Sequence, residues 1–558
     1  MAAAATETQA LGRLLSGATW LAVQFLLQII LSLWSIRLIV DALGPARAGA
    51  YRFAMGFGVF QFLFEFGAGS ALQRQLSDAW TCGDRARVDR TIACGMSFYA
   101  ATSLVQAAAL LGVAHLAVPH AEFDPASQRL VVRLLWLQAL TAPGFGFAAV
   151  VSCMLQVARR YDLVARCELA ITVLRFAVLV AGVRAGVDFF WVAAAQTAAI
   201  LIPRAGPALW VMVRELGYVP HFRGAGRADF RALGRFSFYV ALIQVGSVLT
   251  DRVDTAILGF VLAQPGRPIA VYDVVSKPYL LLSQAGMMLI SMVIPAVAGL
   301  AAAGDGRGLE RVKYDGSRLH IGVLLPVGLP AWLYAGPFLS LWIGDRLGGD
   351  AGRMAPLMRL FLVAALPLLL GVPVQMAIGL DRIRAIAVAA LAGSLVNLLL
   401  SCYLTARLGV SGVIWGTVLT TMVSNLLVPG LAVWRALGID PRTYLGRTLG
   451  APAAGAAALI ASTWALRQLL PVASLGAAPR ARGLLLILHL AAGTLAYLGG
   501  YASVPAGRGD LAWSAAGLRR GRFGRVRPGA PVHGRAIENR TDFATGLVLP
   551  PENEVSNP

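Results

Sequence analysis

Residues 14–40 read LLSGATWLAVQFLLQIILSLWSIRLIV, 27 positions in which Arg37 is the one formal charge. A bilayer's hydrocarbon core takes about 20 residues per helical crossing. The stretch is long enough to span it and too long for the apolar core of a cleaved signal, so it reads as an uncleaved first span. Similar stretches follow at 50–70, 91–118, 130–157, 163–183, 188–213, 236–262, 277–301, 317–343, 355–380, 383–406, 409–434, 447–470 and 481–505. The chain is 58% hydrophobic and 14% charged, with a mean hydropathy of +0.69. A water-soluble fold of 558 residues has no interior large enough to hide that surface. The expected fold class is an all-α polytopic membrane protein with about fourteen transmembrane helices.

The net charge of +20 falls between the apolar stretches rather than on one basic face, so no nucleic-acid partner is expected. One alternate set of connections carries Arg74, Arg85, Arg87, Arg90, Arg159, Arg160, Arg166 and the arginines from Arg214 to Arg235. It continues through Arg307, Arg311, Lys313, Arg318, Arg382, Arg384, Arg435, Arg442 and Arg447. That is roughly 21 basic residues against about 12 at the opposite ends, which places this set, and both termini, in the cytoplasm. From 506 onward the chain is rich in Gly, Pro and Arg, and a disordered basic tail attracted to anionic membrane lipids is expected over 506–558. Five cysteines without a CxxC pair indicate neither a disulfide framework nor a zinc site.

An internal repeat divides the chain. Tyr51 is followed 33 residues later by Asp84 in Gly83-Asp84-Arg85, and Tyr272 is followed 33 residues later by Asp305 in Gly304-Asp305-Gly306-Arg307. Arg90 and Arg311 keep that spacing, and Gly186-Val187-Asp188 is echoed by Gly409-Val410-Ser411. Two six-helix lobes are expected, 1–214 and 236–437, joined by a cytoplasmic loop over 215–235. A pseudo-two-fold along the membrane normal would relate them, with two extra helices over 445–505.

Polar residues at membrane depth mark the expected cavity. Gln24, Gln28, Ser32 and Ser35 share one face of the first span, and Gln244, Ser247, Asp251, Asp254 and Thr255 one face of the seventh. Such stripes line a cavity or hydrogen-bond neighbouring helices. An ionised side chain at depth costs about 2.5–3.5 kcal/mol even on the lenient insertion scale. Arg175 sits near the middle of its span, with Glu168 two turns earlier, so it is expected to face the cavity or to pair with such an acid. Arg37, Arg133 and Glu65 lie nearer span ends, where they snorkel or line the cavity. The candidate anion-binding residues are therefore Arg37, Arg133, Arg175 and Arg252, with Gln28 and Gln244 beside them. Asp251, Asp254, Glu65 and Glu168 are the candidates for ion coupling. Asp251 and Asp254 are one turn apart, so their mutual repulsion would favour a proton on one of them. No Walker loop, metal-ligand cluster or GxSxG is present, and neither catalytic residues nor a cofactor or metal is expected.

Arg37-Leu38-Ile39-Val40-Asp41-Ala42-Leu43-Gly44-Pro45 followed by Gly49-Ala50-Tyr51 resembles the signature that closes the first helix of polysaccharide exporters. Phe66-Gly67-Ala68-Gly69-Ser70-Ala71 with Arg74, and Gly83-Asp84, resemble their next helix and loop. Asp254 with Tyr272 and Lys277 looks like the opening of the second lobe. Leu341-Trp342-Ile343-Gly344, Asn397-Leu398-Leu399-Leu400 and Gly409-Val410-Ser411-Gly412 resemble their C-terminal domain.

Over about 10–437 the chain resembles the multidrug/oligosaccharidyl-lipid/polysaccharide exporter superfamily, in its polysaccharide transporter branch, which includes O-antigen flippases. Family members often carry Asp or a neutral residue where this chain has Glu65, and two added helices occur in some, including the lipid II flippase subgroup. The resemblance implies a flippase in a bacterial cytoplasmic membrane that moves an undecaprenyl-diphosphate-linked glycan outward, with a polysaccharide polymerase and a chain-length regulator as partners. A drug–cation antiporter of the same superfamily is the alternative, followed by a membrane-embedded glycan ligase. The antiporter reading predicts a cavity dominated by acids; the ligase reading predicts a large outer loop, whereas the outer loops here are short.

Overall fold

A computed structural model of the chain describes residues 2–59, 68–158, 160–231, 233–234, 253–291, 293–347, 351–380, 384–470 and 479–520. Helix α1 (Ala2–Gly56) is kinked at Gly44, whose φ of 73° and ψ of 167° interrupt the helical path. Glycine takes that φ without steric penalty, and Pro45 restarts the helix with a pre-set φ. Helices α2 (Ala68–Thr81), α3 (Arg85–Gly112), α4 (Pro125–Val157), α5 (Tyr161–Arg184) and α6 (Phe189–Trp210) complete an N-terminal set.

The C-terminal set opens with α7 (Asp254–Val261), α8 (Gly266–Ile290), α9 (Val293–Ala302) and α10 (Gly306–Arg311). It continues with α11 (Ser317–Leu333), α12 (Ala335–Trp342), α13 (Ala351–Val363), α14 (Gly371–Gly379), α15 (Arg384–Leu408), α16 (Val410–Thr421) and α17 (Val428–Ala436). Then come α18 (Pro441–Leu469), α19 (Pro479–Ser503) and α20 (Pro505–Arg520). A second compact unit, Gly509–Pro558, is described only as far as Arg520.

The repeat seen in sequence has a local cause. Gly83 and Gly304 both take positive φ, at 69° and 66°. The aspartate that follows each caps the next helix: Asp84 accepts from the Arg87 amide at 2.9 Å and Asp305 from the Gly308 amide at 2.8 Å. An N-cap carboxylate satisfies an amide that the helix itself cannot.

Among the described residues, ten helices are long and apolar enough to cross a membrane. An eleventh counts if the pair Gly306–Leu333 and Ala335–Trp342, bent by 74°, is one span. These correspond to eleven of the fourteen expected spans. Most of 50–70 and all but the end of 236–262 lie outside the described residues. The remaining one, 163–183, is the 24-residue α5, whose Asp162, Arg166, Glu168, Arg175 and Arg184 make it too charged to qualify on composition. Leu140, Leu116, Leu399 and Ile487 are 79%, 74%, 64% and 63% exposed, as befits side chains meeting lipid rather than water. This is a multi-pass membrane protein.

One buried cluster joins both sets, with Ile36, Phe53, Leu134 and Leu179 against Leu258, Val275, Phe361 and Ile414. Another, around Leu72, Ile92, Met154 and Met212, belongs to the N-terminal set alone. The added helices α18 and α19 pack on each other and on α11, where Leu459, Tyr497 and Tyr501 meet Leu325 and Leu329.

Candidate functional site

The two sets meet around the second half of α1, beyond its kink. There the backbones of α1 and α8 touch: a methyl group at Gly49 would fall 1.6 Å from the Gly266 carbonyl oxygen, and one at Gly266 2.5 Å from the Ala46 oxygen. Small residues permit such an approach, and packing in lipid rewards it. One turn further on, Arg52 Nε lies 2.8 Å from Asp273 Oδ1, and Lys277 Nζ lies 3.6 Å from the same oxygen. Phe53 fills the space above Gly259 and makes edge contacts with Phe57 and Phe260 at 5.1 and 5.5 Å.

Two tyrosines flank this ion pair. The Tyr51 hydroxyl donates to Gln196 Oε1 on α6 at 3.4 Å, and Gln196 Nε2 donates to the Arg175 carbonyl at 3.1 Å. The Tyr272 hydroxyl donates to Asp254 Oδ2 at 2.5 Å, and Thr417 on α16 donates to that oxygen at 3.2 Å. Asp254 is 2% exposed, and these donors stabilise its carboxylate in a site cut off from solvent. On the first half of α1, Trp342 Nε1 donates to the Leu33 carbonyl at 2.8 Å and Arg346 forms an ion pair with Asp41. The Arg346–Asp41 pair lies beside the Gly44 kink and the Arg52–Asp273 pair about two turns beyond it, while the Trp342–Leu33 bond lies about three turns before it.

Of the residues expected from sequence, Arg37 and Arg175 are exposed. Both flank the contact between Trp34 and Phe176, whose rings are 6.2 Å apart where α1 meets α5. Arg175 is also close enough for its charge to act on Tyr51. Of the two alternatives expected for Arg175, facing the cavity or pairing with an acid such as Glu168, the pair with Glu168 is not formed: Glu168 pairs with Arg204 on α6 at 2.7 Å. Arg204 sits close to the turn of α6 that faces Glu168, whereas Arg175 is two turns along α5.

Arg133 pairs with Asp188 at 3.2 Å and lies over the Phe190 ring at 4.5 Å. It lines a separate hollow with Asp41, Arg47 and Arg129, away from Arg175. Gln28 is exposed, while Ser32 and Ser35 donate to the carbonyls of Ile29 and Leu31 in their own helix. Gln244, Asp251, Arg252 and Glu65 lie outside the described residues. Asn397, 1% exposed, accepts from Ser401 and from Thr420 on the neighbouring α16. No group of three or more His, Cys, Asp or Glu able to hold a metal occurs among the described residues.

Sequence reasoning passed over Arg52, Asp273, Gln196, Thr417 and Arg204. Arg52 and Asp273 follow Tyr51 and Tyr272 directly, so the spacing that revealed the repeat also indexes the ion pair.

No family model matches the chain, and no curated protein matches it in sequence. Solved structures do. The lipid II flippase MurJ in its inward closed conformation is similar over 86% of this chain and 97% of that one, with a TM-score of 0.66 at 13% identity. An inward-facing multidrug resistance MATE family transporter of the MOP superfamily gives 0.59 at 12% identity, over 74% of this chain and 95% of that one. A eukaryotic MATE transporter gives 0.56 at 15% identity, over 77% and 98%. The chain therefore has the fold of the multidrug/oligosaccharidyl-lipid/polysaccharide (MOP) transporters.

Proposed function

We propose that this protein is a flippase that carries a polyprenyl-diphosphate-linked oligosaccharide from the inner to the outer leaflet of a bacterial cytoplasmic membrane, by alternating access, for the building of a surface polysaccharide. The observation that carries the reading is the pair Arg37 and Arg175. Both are exposed on adjoining helices beside Trp34 and Phe176, Arg175 near the middle of its span and Arg37 toward the end of its own, and neither forms an ion pair among the described residues. A retained guanidinium at that depth is costly unless an anion visits it. Guanidinium forks match phosphate oxygens, and indole and phenyl faces suit sugar rings and isoprenyl chains.

The bonds at the Gly44 end describe a closed gate on one side of the fold. Under the proposed orientation that side is periplasmic, so the conformation is closed outward. In support, an inward-facing MATE transporter superposes with a TM-score of 0.59 and an outward-facing one with 0.50. Export then requires the Arg52–Asp273 and Asp41–Arg346 pairs to part while the opposite end closes. Asp254, buried beside that gate, is positioned to take a proton or cation that biases the two states. The likeness to a lipid II flippase extends over more of the chain than the likeness to the MATE transporters, which supports a lipid-linked substrate.

Buried Asp254 and the MATE likeness also favour a second reading, antiport of an organic cation. Binding distinguishes the two. Purified protein in nanodiscs should bind a polyprenyl-diphosphate oligosaccharide, and Arg175→Gln should weaken binding by about tenfold or more, the loss of one charged hydrogen bond. Binding of an organic cation instead, unchanged by Arg175→Gln, would select the antiporter.

A further inference from the structure

At the end of the helices away from Gly44 lies a cavity of about 600 Å³ that the transport reading does not use. Its walls come from α10, from the π turn Val312–Gly316 and from the first turns of α18. Four arginines, Arg307, Arg311, Arg318 and Arg447, face two acids, Glu310 and Asp315. The site is therefore net cationic. Arg318 is 8% exposed and pinned: its Nη2 lies 3.0 Å from Asp315 Oδ1, and its Nη1 donates to the Arg447 carbonyl at 3.4 Å, bridging α11 to α18. The Arg447 guanidinium lies 4.9 Å from the centroid of the Tyr314 ring, which orients it while leaving its charge available. Arg307, Arg311 and Arg447 form no ion pair among the described residues.

Two further features shape the cavity. Gly446 and Gly450 lie one turn apart on α18 and line the cavity, yet a side-chain carbon at either would meet nothing within 4 Å. Glycine inside a helix costs about 0.5–1 kcal/mol relative to alanine. Having no side chain there, the two glycines leave that side of α18 open to the cavity. The π turn at Val312–Gly316, one of four among the described residues, contributes Tyr314 and Asp315 to the wall.

The level in the membrane identifies the ligand. Apolar spans begin at Gly306 and Pro441 and another ends at Ser503, so the cavity sits where hydrocarbon gives way to headgroups. A second hollow of about 330 Å³ shares α11 and α18 with it and is otherwise walled mainly from α17, with Ile321, Leu370, Leu431, Trp434, Leu445 and Leu449 in its lining. Tyr444 lines that groove and Tyr314 lines the arginine cavity, with their rings 6.2 Å apart, so the cationic and apolar hollows come together at this tyrosine pair. We propose that the arginine cavity holds the phosphodiester headgroup of an anionic phospholipid of this leaflet, with one acyl chain in the groove beyond Tyr444. Basic pockets between spanning helices are suited to such headgroups. The site is independent of what the protein carries.

The test uses the full chain in phosphatidylcholine nanodiscs, with phosphatidylglycerol titrated in and the lipid retained by the protein after mild detergent extraction measured by native mass spectrometry. Wild type should retain one phosphatidylglycerol in excess of the bulk ratio. Arg311→Gln with Arg447→Gln should weaken retention about twenty-five-fold, each arginine contributing about fivefold. Gly450→Leu, which fills the cavity without altering charge or the Arg318 bridge, should reduce retention while the melting temperature in phosphatidylcholine alone is kept. Equal retention by wild type and Gly450→Leu would overturn the proposal. So would full displacement by millimolar inorganic phosphate, which would mark a site for free phosphate rather than lipid.

Discussion

Arg52 and Asp273 form an ion pair at 2.8 Å although they lie 221 positions apart, the same separation as Tyr51 and Tyr272 and as Asp84 and Asp305. The spacing that separates the two tyrosines and the two capping aspartates thus also separates the two charges of this contact. The pair is 31% and 13% exposed, so its loss should fall between the roughly 1 kcal/mol of a surface pair and the 3–5 kcal/mol of a buried one. Arg52→Gln or Asp273→Asn should raise the labelling rate of a cysteine placed near Gly44. The exchange Arg52→Asp with Asp273→Arg should restore part of the protection, and no recovery would argue against a gate held by this pair.

Gly49 and Gly266 set how closely the two sets approach. Gly49→Val should force α1 and α8 apart at a cost of about 1–3 kcal/mol. Spin labels on α1 and α8 would then report a longer distance by pulsed resonance. An unchanged distance with full activity would mean that the contact is incidental.

Glu168 and Arg175 should separate on two readouts. Glu168→Gln leaves Arg204 without its carboxylate and should lower protein abundance. Arg175→Gln should leave abundance near wild type and abolish export, because the side chain makes no ion pair to lose. Collapse of abundance in Arg175→Gln would assign it a structural role.

Asp254→Asn keeps an oxygen for Tyr272 and Thr417 and removes the charge. The variant should fold, and its transport should no longer respond to an imposed proton or sodium gradient. A gradient response equal to wild type would leave Asp254 a structural part alone.

The positive-inside pattern predicts that reporter fusions after Arg235 and Arg447 read cytoplasmic and one after Gln264 periplasmic. A periplasmic signal at Arg447 would reverse the arrangement and move the lipid site to the other leaflet.

The apolar runs made the spans legible because each span's composition is dictated locally by lipid. The kink at Gly44-Pro45 and the cap at Gly83-Asp84 are equally local, but the sequence displayed those residues only as motif and repeat markers. Pairings across the fold were not local. Nothing in the residues around Glu168 distinguishes Arg204 from Arg175, since the choice depends on how α5 and α6 are rotated against each other. Asp41 and Arg346 lie 305 positions apart, and neither is among the residues that mark the internal spacing. Charges at depth were visible as anomalies; their partners were visible only once the helices were packed.

The central claim is transport of a diphosphate-linked glycan through a site that includes Arg175. The direct measurement reconstitutes the purified protein in liposomes loaded with a fluorescent polyprenyl-diphosphate oligosaccharide and follows its exposure to an external glycan-binding quencher. Wild type should transfer the lipid between leaflets far faster than protein-free liposomes, and Arg175→Gln should fall to the protein-free rate. Wild-type liposomes that leave the lipid-linked glycan in place, while exchanging an organic cation for protons, would contradict the account.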